Sequence, residues 1–452
     1  MKLQHRIMEN SEAIIETNIA EGSLPQPGPT KASEQRLSQI APPTYAAAFQ
    51  CIGASCEDSC CRDWDIPVDR NTYEKYQQFP LEKLGSLVSQ FVFVNAPGPP
   101  DELYAQIYRG PSGFCPFFGS DHLCGIQKEY GPQFLSASCS IYPRSLSLVA
   151  EKLEGSLSLS CPEAARNVLL VPQFMEREED LFSGDFRTDN FFHLAGERSG
   201  SVHKPHGSFY AIRALLIDIV RDRSRPMWYR LLLIGSLCKR LDTLTSEEGE
   251  EAISATLRDY RQIFEEQVFQ AELENLQSLP RLKLGVVFEL TDARVRESSS
   301  NRFQDIFWTF LGGIASSTGS LPGDDMERFL RAEERYHRPF FERFPFILEN
   351  YLVNYMFQNL FPYGREGSKN FVSRSIFDEY ILMTTQFAWI NALLIGIAGH
   401  HKEAFAEEHV VQTIQSFTRA VEHYPHALKS ISEYMKSRGL NSLQGMAILL
   451  KN

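Results

Sequence analysis

The chain lacks the short motifs that mark several large enzyme classes. It contains no G-x-G-x-x-G loop in a strand–loop–helix context, no Walker A loop, no H-E-x-x-H and no G-x-S-x-G. These absences argue against a glycine-rich dinucleotide site, a P-loop nucleotide site, a zincin metal helix and an α/β-hydrolase nucleophile. Any chemistry must therefore come from another group of residues.

Long apolar runs and an excess of positive charge are also missing. The most apolar stretch, residues 387–399, is too short to span a bilayer and contains Asn391, so we expect a buried helix and no stable membrane association. The first residues are polar where a secretory signal would be apolar, which predicts a cytoplasmic protein. The net charge of −12 does not suit a phosphate-binding surface, and we expect no nucleic-acid partner.

The 452 residues are enough for two domains, and the pattern changes twice along the chain. Residues 1–42 are rich in Gly and Pro and predict a disordered or loosely structured tail. Residues 43–170 indicate short elements joined by turns in a cysteine-rich metal or iron–sulfur domain. Residues 171–452 predict a helical domain. The fold class is therefore mainly α, with a small cysteine-rich domain with short strands fused to a large all-α domain.

Local patterns predict several individual elements. Residues 64–68 indicate a strand, and Asp69 is a candidate N-cap for a helix that follows it. Apolar and polar residues alternate over 145–153 and 155–159, which indicates a hairpin. Apolar residues at three-and-four spacing predict helices over 211–220, 228–241, 250–276, 326–336, 346–361, 375–398 and 408–423.

Eight of the nine cysteines lie between residues 51 and 161, namely Cys51, Cys56, Cys60, Cys61, Cys115, Cys124, Cys139 and Cys161. In the cytoplasm thiols stay reduced, which favours a metal ion or an iron–sulfur cluster over disulfides. The spacing matches neither the C-x2-C pairs of zinc ribbons nor the ferredoxin pattern, and a structural zinc site and disulfides remain alternatives. Adjacent Cys60 and Cys61 cannot easily point the same way. We predict one four-thiolate centre drawn from both halves of the set.

Other side chains are candidates for binding roles, each with a structural alternative. Arg144 follows Cys139 by five residues and would hold a carboxylate or phosphate, or pair with a local acid. Trp64 would cover a site or belong to the core. Asn350 and Asn354 lie on one helix face with Gln358, where amides grip a substrate backbone or satisfy buried carbonyl groups.

The residues around the cysteines resemble the flagellin lysine-N-methylases, the FliB family. The resemblance rests on FQCIGASCEDSCCRDW from Phe49, CPFF from Cys115, CGIQ from Cys124, CSIYPR from Cys139 and CPEAAR from Cys161. The segment ENYLVNYMFQNLFPYG from Glu349 is similar to that family's C-terminal signature. The first cysteine run alone is also similar to a wider group of zinc- or iron-chelating proteins.

The resemblance implies methyl transfer from S-adenosylmethionine to lysine ε-amines of flagellin, with an iron–sulfur cluster of the 4Fe-4S type or, as the alternative, zinc. It makes Arg144, Trp64 and Tyr142 the predicted contacts of the methyl donor and the eight cysteines the candidate metal ligands. Asp63 occupies the third place of the C-x3-C-x2-C that radical enzymes carry, so a polar transfer is expected. The sequence identifies no catalytic base. The alternative function is a non-catalytic chelating protein with a partner-binding helical domain.

Overall fold

The computed structural model describes residues 49–95, 98–149, 152–172, 192–194, 206–244, 249–266, 278–298, 300–314, 324–366 and 375–451. The predicted N-terminal tail lies outside these residues. The described part is mainly helical with few strands, so the predicted fold class is confirmed to that extent.

The described strands are short and form two sheets. They are β1 (Ile66–Val68), β2 (Val92–Val94), β3 (Ala105–Ile107), β4 (Arg144–Val149), β5 (Lys152–Leu157), β6 (Phe192–Leu194) and β7 (Arg365–Glu366). The first sheet has the antiparallel order β1-β3-β2, with Ile107 of β3 opposite both Ile66 and Val92. The second has the order β5-β4-β6-β7 and contains a hairpin, β4–β5, in the predicted region. The predicted arms were misplaced, because β5 begins at Lys152, within the predicted first arm of 145–153.

The first five described helices belong to the cysteine-rich region: α1 (Arg70–Tyr76), α2 (Ser86–Phe91), α3 (Gly125–Tyr130), α4 (Ala137–Ile141) and α5 (Pro162–Leu169). The others are α6 (Phe209–Arg221), α7 (Met227–Thr243), α8 (Gly249–Glu266), α9 (Pro280–Glu297), α10 (Asn301–Ile314), α11 (Asp324–Ala332), α12 (Arg338–Arg343), α13 (Phe346–Gln358), α14 (Ile376–His401), α15 (Glu407–Phe417), α16 (Pro425–Ser437) and α17 (Leu443–Leu450). Every helix predicted from apolar spacing is present, although residues 267–276 of the third lie outside the described residues.

Capping side chains fix two helices that matter for the site. Asp69 accepts a hydrogen bond from the backbone N–H of Thr72 at 3.0 Å, which is the N-cap predicted for α1. Ser136 accepts one from the N–H of Cys139 at 3.3 Å and so begins α4. The second cap holds Cys139 in the first turn of its helix.

A small hydrophobic core lies under the first sheet. Val68, Ala105 and Ile107 of that sheet are buried against Tyr76 of α1 and Phe117 of the following loop. We call residues 61–139 the small module because their buried apolar side chains form this separate cluster. A core of this size has little apolar surface to bury, so contacts with the rest of the protein contribute to holding it.

The larger core contains the helices from α6 onward and also the β4–β5 hairpin and α5. Leu157, Ala164 and Val168 are fully buried within it. We call this part the helical body. The domain boundary predicted at residue 170 stays a prediction, but the buried apolar side chains change cluster earlier, close to residue 140.

Helix α14 runs through the centre of the helical body and crosses α10 closely. A Cβ on Gly313 would overlap the carbonyl oxygen of Gly396, so only glycine allows the two backbones to approach this far. Among the described helices, the stretch Ile376–Ala404 that contains α14 is long and apolar enough to cross a membrane, and 94 % of its most apolar window is buried in the protein. This agrees with the buried helix predicted for residues 387–399.

Candidate functional site

A cavity of about 580 Å³ lies between the small module and the helical body. Its walls come from the loop that ends the first cysteine run, from the start of the β4–β5 hairpin, and from residues 358–365 and 419–424 of the helical body. A volume of this size is typical of sites for small organic ligands. We call it the central cavity.

Two side chains of the helical body hold the first cysteine run in place. Arg419 forms an ion pair with Asp58 at 2.9 Å and donates to the carbonyl oxygens of Ser59 and Arg62 at 3.1 and 2.8 Å. Gln415 donates to the carboxylate of Asp58 at 2.8 Å and to the carbonyl oxygen of Ser160, the residue before Cys161, at 2.9 Å. Because Asp58 is buried, these bonds satisfy an otherwise costly charge and fix one wall of the cavity.

Arginines outnumber carboxylates in the cavity wall, although three of their guanidinium groups are paired: Arg62 with Asp63, Arg109 with Asp65 and Arg419 with Asp58. The only described carboxylate in the wall is that of Asp63, which already pairs with the guanidinium of Arg62 at 3.0 Å. Positive groups in a confined space favour anionic ligand groups and disfavour ammonium ions. The wall contains five arginines: Arg62, Arg109, Arg144, Arg365 and Arg419.

The three residues predicted to contact a cofactor all line the central cavity. The rings of Trp64 and Tyr142 have centroids 6.5 Å apart, and Trp64 Nε1 donates to the carbonyl oxygen of Cys60 at 2.6 Å. Arg144 donates to the carbonyl oxygen of Phe49 at 2.7 Å, and burial lowers the pKa of its guanidinium. The structure thus brings these three together, while their role in binding stays a prediction.

A chain of hydrogen bonds crosses one side of the cavity. Tyr142 Oη lies 2.9 Å from Ser160 Oγ, which lies 2.9 Å from Ser158 Oγ, which in turn lies 2.9 Å from His423 Nε2. All four side chains line the cavity. Burial, with the positive charges of Arg419 and Arg365 nearby, lowers the pKa of His423. This lowered pKa, of about 4, keeps the imidazole neutral near pH 7 and makes it a weak base.

The cysteines fall into two neighbouring sets. We call Cys61, Cys115, Cys124 and Cys139 the inner set, because all four pack on the hydrophobic core of the small module. Cys115 donates its backbone N–H to the carbonyl oxygen of Cys61 at 2.7 Å. The backbone of Cys124 forms an isolated antiparallel β-bridge with that of Phe118. Burial raises the pKa of the Cys115 thiol to about 12, and the thiols of Cys61 and Cys124 reinforce that rise.

The other four thiols are neighbours of one another, and one of them, Cys60, lines the central cavity; we call Cys51, Cys56, Cys60 and Cys161 the cavity-side set. Burial raises the pKa of Cys161 to about 12, with further contributions from the nearby Cys56 and Cys51. Cys60 lines the cavity, and its thiol also meets that of Cys61. The hydrogen bond from Cys60 lowers the pKa of Cys61 to about 7, helped by Ser59 and Arg419. Cys60 and Cys61 are therefore in contact, although Cys60 belongs to the cavity-side set and Cys61 to the inner set.

All nine cysteines are free thiols in this structure. Within the described ranges, no three His, Cys, Asp or Glu side chains converge in the arrangement of a formed metal site. The thiols of each set are neighbours and would have to turn inward to bind a common group. The eight predicted ligands therefore stay candidates.

The aligned amides of α13 have mainly structural partners. Asn350 donates to the carbonyl oxygens of Val168 and Val171 at 2.9 Å each, and Asn354 donates to that of Leu157 at 2.9 Å. Of the three amides, only Gln358 lines the cavity. The structural alternative is therefore correct for Asn350 and Asn354, whose amides satisfy buried carbonyl groups.

Apart from Gln358, sequence reasoning missed the contributions of the helical body to this site. Arg365, Arg419 and His423 carry no motif, and they lie more than 200 residues from the last cavity-lining residue of the cysteine-rich region, Ser160. Only the fold brings them to the cavity.

Comparison with known proteins places the chain in a family. A family model described as the FliB lysine N-methylase C-terminal domain matches residues 213–449, which is more than half of the chain. The chain belongs to the FliB lysine N-methylase family. No solved structure matches it significantly.

Three curated proteins are similar to this FliB family member. Two are named lysine-N-methylase, from Salmonella choleraesuis strain SC-B67 and Salmonella typhimurium strain LT2, and each is 22 % identical over 419 residues, covering 88 % of this chain and 95 % of the relative. The third, the flagellar biosynthetic protein FliU of Salmonella muenchen, is 30 % identical over 138 residues, covering 30 % of this chain and 80 % of the relative. The resemblance stated from the motifs is confirmed at the level of the family.

Proposed function

We propose that this protein is a cytoplasmic methyltransferase that moves the methyl group of S-adenosylmethionine to lysine ε-amines of flagellin. The observation that carries the proposal is the central cavity, which brings together one thiol, several arginines and aromatic rings in a chain of the FliB lysine N-methylase family. The relatives named lysine-N-methylase support the reaction, and the relative named as a flagellar biosynthetic protein supports the substrate.

The chemistry of the cavity suits the methyl donor. The methionine carboxylate is an anion, and Arg144 stands in the arginine-rich wall next to the cysteines. Aromatic faces attract a sulfonium cation, and the rings of Trp64 and Tyr142 share this part of the wall. We assign these three residues to binding and orienting the donor.

The cavity-side set is the part of the chain that would hold the iron–sulfur cluster. Thiolates are the usual ligands of such clusters, and this set adjoins the cavity through Cys60. Three of its thiols, those of Cys51, Cys56 and Cys161, are close enough to oppose each other's ionisation. If three of these thiolates held the cluster, one iron would stay open and could supply an anchor for the methionine end of the donor.

The transfer itself is polar. The lone pair of the lysine nitrogen forms the N–C bond while the C–S bond breaks, S-adenosylhomocysteine leaves, and one proton is released. An ammonium group has no lone pair, so the amine must be neutral before it attacks. The guanidinium groups of the cavity wall disfavour the charged form of an entering lysine, which helps that loss.

Transfer of labelled methyl from S-adenosylmethionine to purified flagellin tests the proposed function. We expect label on flagellin lysines when the protein is purified anaerobically, together with brown colour and absorbance from thiolate-to-iron bands. Flagellin whose lysines have been acetylated is the control and should take up no label. Colourless, zinc-containing protein that transfers no methyl group would overturn the proposal.

The second candidate function is a non-catalytic zinc- or iron-chelating protein whose helical body binds a partner. The inner set favours it, because these thiols pack on the small core and, among the described residues, none of the four lines the cavity. Metal analysis of the same preparation separates the two functions. Zinc without iron, in a protein that binds no S-adenosylmethionine, indicates the chelating protein.

Replacing Arg144 by alanine is expected to weaken binding of S-adenosylmethionine by roughly tenfold or more, because a charge-assisted bond to the donor carboxylate is lost. Calorimetric titration measures the effect. Arg261→Ala is the control, since this arginine pairs with Asp218 away from the cavity and should leave binding unchanged. Unchanged binding in Arg144→Ala would remove this residue from the donor site.

A further inference from the structure

One buried amide of the helical body has a free hydrogen-bond donor in the wall of the central cavity. Gln358 is the last residue of α13, lines the cavity and is 8 % exposed. Its Oε1 accepts a hydrogen bond from Asn354 Nδ2 at 3.4 Å, and no group of the described residues accepts one from its Nε2. Protein atoms do not enclose Nε2, so its two N–H groups are open to the cavity.

The neighbouring amide fixes the orientation of Gln358. Asn354 Nδ2 donates to the carbonyl oxygen of Leu157 at 2.9 Å, and Asn354 Oδ1 accepts from the N–H of the same residue at 3.4 Å. A carbonyl oxygen only accepts, so the Asn354 group that faces it is the NH₂ group, and this group also faces Gln358. Gln358 therefore turns its oxygen to Asn354 and presents its nitrogen to the cavity.

The surroundings of this donor favour a ligand group without charge. The bond between Asn354 and Leu157 places Gln358 one helical turn from the end of β5, where Ser158 follows. Ser158 Oγ lies 2.9 Å from the imidazole of His423, which is neutral near pH 7. The amide, the hydroxyl group and the neutral ring offer hydrogen bonds without a charge. Arg365 also lines the cavity, and the nearby carboxyl groups of Glu379 and Glu422 partly offset its charge.

A buried donor without an acceptor is unfavourable, so a ligand that fills the cavity should supply the acceptor. The methyl donor has two halves of different chemistry. Its methionine half is charged and suits the wall near Arg144, whereas its adenosyl half is neutral and rich in acceptors, namely the ring nitrogens and the ribose oxygens. An entering lysine side chain offers only its amine nitrogen, whose lone pair attacks the methyl group. The adenosyl half is therefore the ligand group that suits Gln358.

We propose that Gln358 binds the adenosyl half of the methyl donor, with Nε2 donating to a ring nitrogen or a ribose oxygen. This inference rests on the proposed function and deepens it, because it divides the central cavity into two parts. The nucleoside lies against α13 and the end of β5, and the methionine half lies at Arg144, Trp64 and Tyr142. Gln358 binds and orients the donor and takes no part in the chemical step.

The first test uses 5′-methylthioadenosine, which keeps the adenosyl group and lacks the carboxylate and the ammonium group of methionine. We expect Gln358→Met to weaken its binding to the anaerobically purified protein by roughly three- to tenfold, the usual effect of one neutral hydrogen bond. Arg144→Ala should bind this nucleoside within about twofold of the unmodified protein. Calorimetric titration measures both. Unchanged nucleoside binding in Gln358→Met would overturn the assignment.

A second substitution separates ligand binding from a structural role. Gln358→Glu keeps an acceptor for Asn354 but, as a carboxylate, has no donor for the ligand. It should therefore weaken nucleoside binding at least as much as Gln358→Met. Normal binding in Gln358→Glu would mean that residue 358 only holds Asn354, and the assignment would be wrong. Gln262→Met is the matched control, because this glutamine of α8 donates to Glu266 at 2.9 Å, does not line the cavity and should leave binding unchanged.

Steady-state methyl transfer distinguishes the nucleoside from the other source of acceptors, the backbone of flagellin. In Gln358→Met the KM for S-adenosylmethionine should rise, while the KM for flagellin should stay within about twofold of that of the unmodified protein. A rise confined to the KM for flagellin would show that the amide contacts the peptide, and it would overturn the assignment to the donor.

The assignment and the proposed function fail in different ways. If the unmodified protein binds 5′-methylthioadenosine through Gln358 but transfers no label to flagellin, the proposed function is wrong and the nucleoside site remains. If the unmodified protein is active and Gln358→Met matches it in nucleoside binding, only the assignment is wrong. An active protein that binds no 5′-methylthioadenosine would contradict the assignment as well.

Discussion

Replacing Cys60 by serine is expected to remove the bound iron, the visible absorbance and the methyl transfer together. A serine hydroxyl stays protonated and is a hard donor, so it replaces a thiolate poorly on iron. Loss of even a supporting residue around a metal commonly costs 10–100-fold, and we expect the loss of a ligand to exceed about 100-fold in rate. Iron and sulfide analysis, the absorbance spectrum and labelled transfer to flagellin measure the effect.

The neighbouring cysteine provides a sharp comparison. Cys61 belongs to the inner set, so Cys61→Ser should destabilise the small module yet leave iron in the cavity-side set. Cys238→Ser is the control for a buried thiol far from both sets, since Cys238 is fully buried within α7. The opposite pattern, with iron lost from Cys61→Ser and kept in Cys60→Ser, would assign the cluster to the inner set.

Replacing Arg213 by methionine is expected to lower the free energy of unfolding by about 3–5 kcal/mol, because it leaves a buried carboxylate without its partner. Arg213 of α6 forms two bonds with Glu154 of β5, at 2.8 and 2.5 Å, and the two residues are 1 % and 5 % exposed. The guanidinium also lies over the ring of Phe357 at 4.2 Å, so packing is lost with the charge. Urea unfolding, followed by circular dichroism, measures the change.

Two further variants separate charge from packing in this pair. In Arg213→Met/Glu154→Leu both charges are gone, and much of the lost stability should return, because no unpaired charge remains buried. Arg261→Met breaks an exposed ion pair with Asp218 and should cost less than about 1 kcal/mol. If Arg213→Met proves as mild as Arg261→Met, the buried pair contributes nothing that the surface pair lacks.

Periodicity was sufficient to predict most of the fold. The apolar spacing that predicted α6, α7 and α13 reflects burial against a neighbouring helix, which is a local property of the sequence. The cap at Asp69 and the alternation of β4 and β5 are local signals as well. The packing of that hairpin into the helical body is not local, because it depends on the pair that Glu154 forms with Arg213.

Apart from Gln358, the candidate site was predictable only on the side of the cysteines. The sequence motifs around the cysteines contain Trp64, Tyr142 and Arg144. The structure places all three in the wall of one cavity. His423 and Arg419 sit in an ordinary helical stretch, so nothing in the local pattern marks them. The division of the thiols into two sets could not be predicted either. Spacing along the chain does not show that Cys61 packs with Cys139 on the small core while Cys60 lines the cavity.

The bonds that close the cavity wall also set an order of events during synthesis. Asp58 and Gln415 are 357 residues apart, and Ser59 and Arg419 are 360 apart. A ribosome that adds roughly 5–20 residues per second needs on the order of 20–70 s to make the second partner after the first. For that interval Cys51, Cys56 and Cys60 lack these contacts, so the nascent chain has a defined period in which the three thiols are open to metal delivery and equally to oxidation.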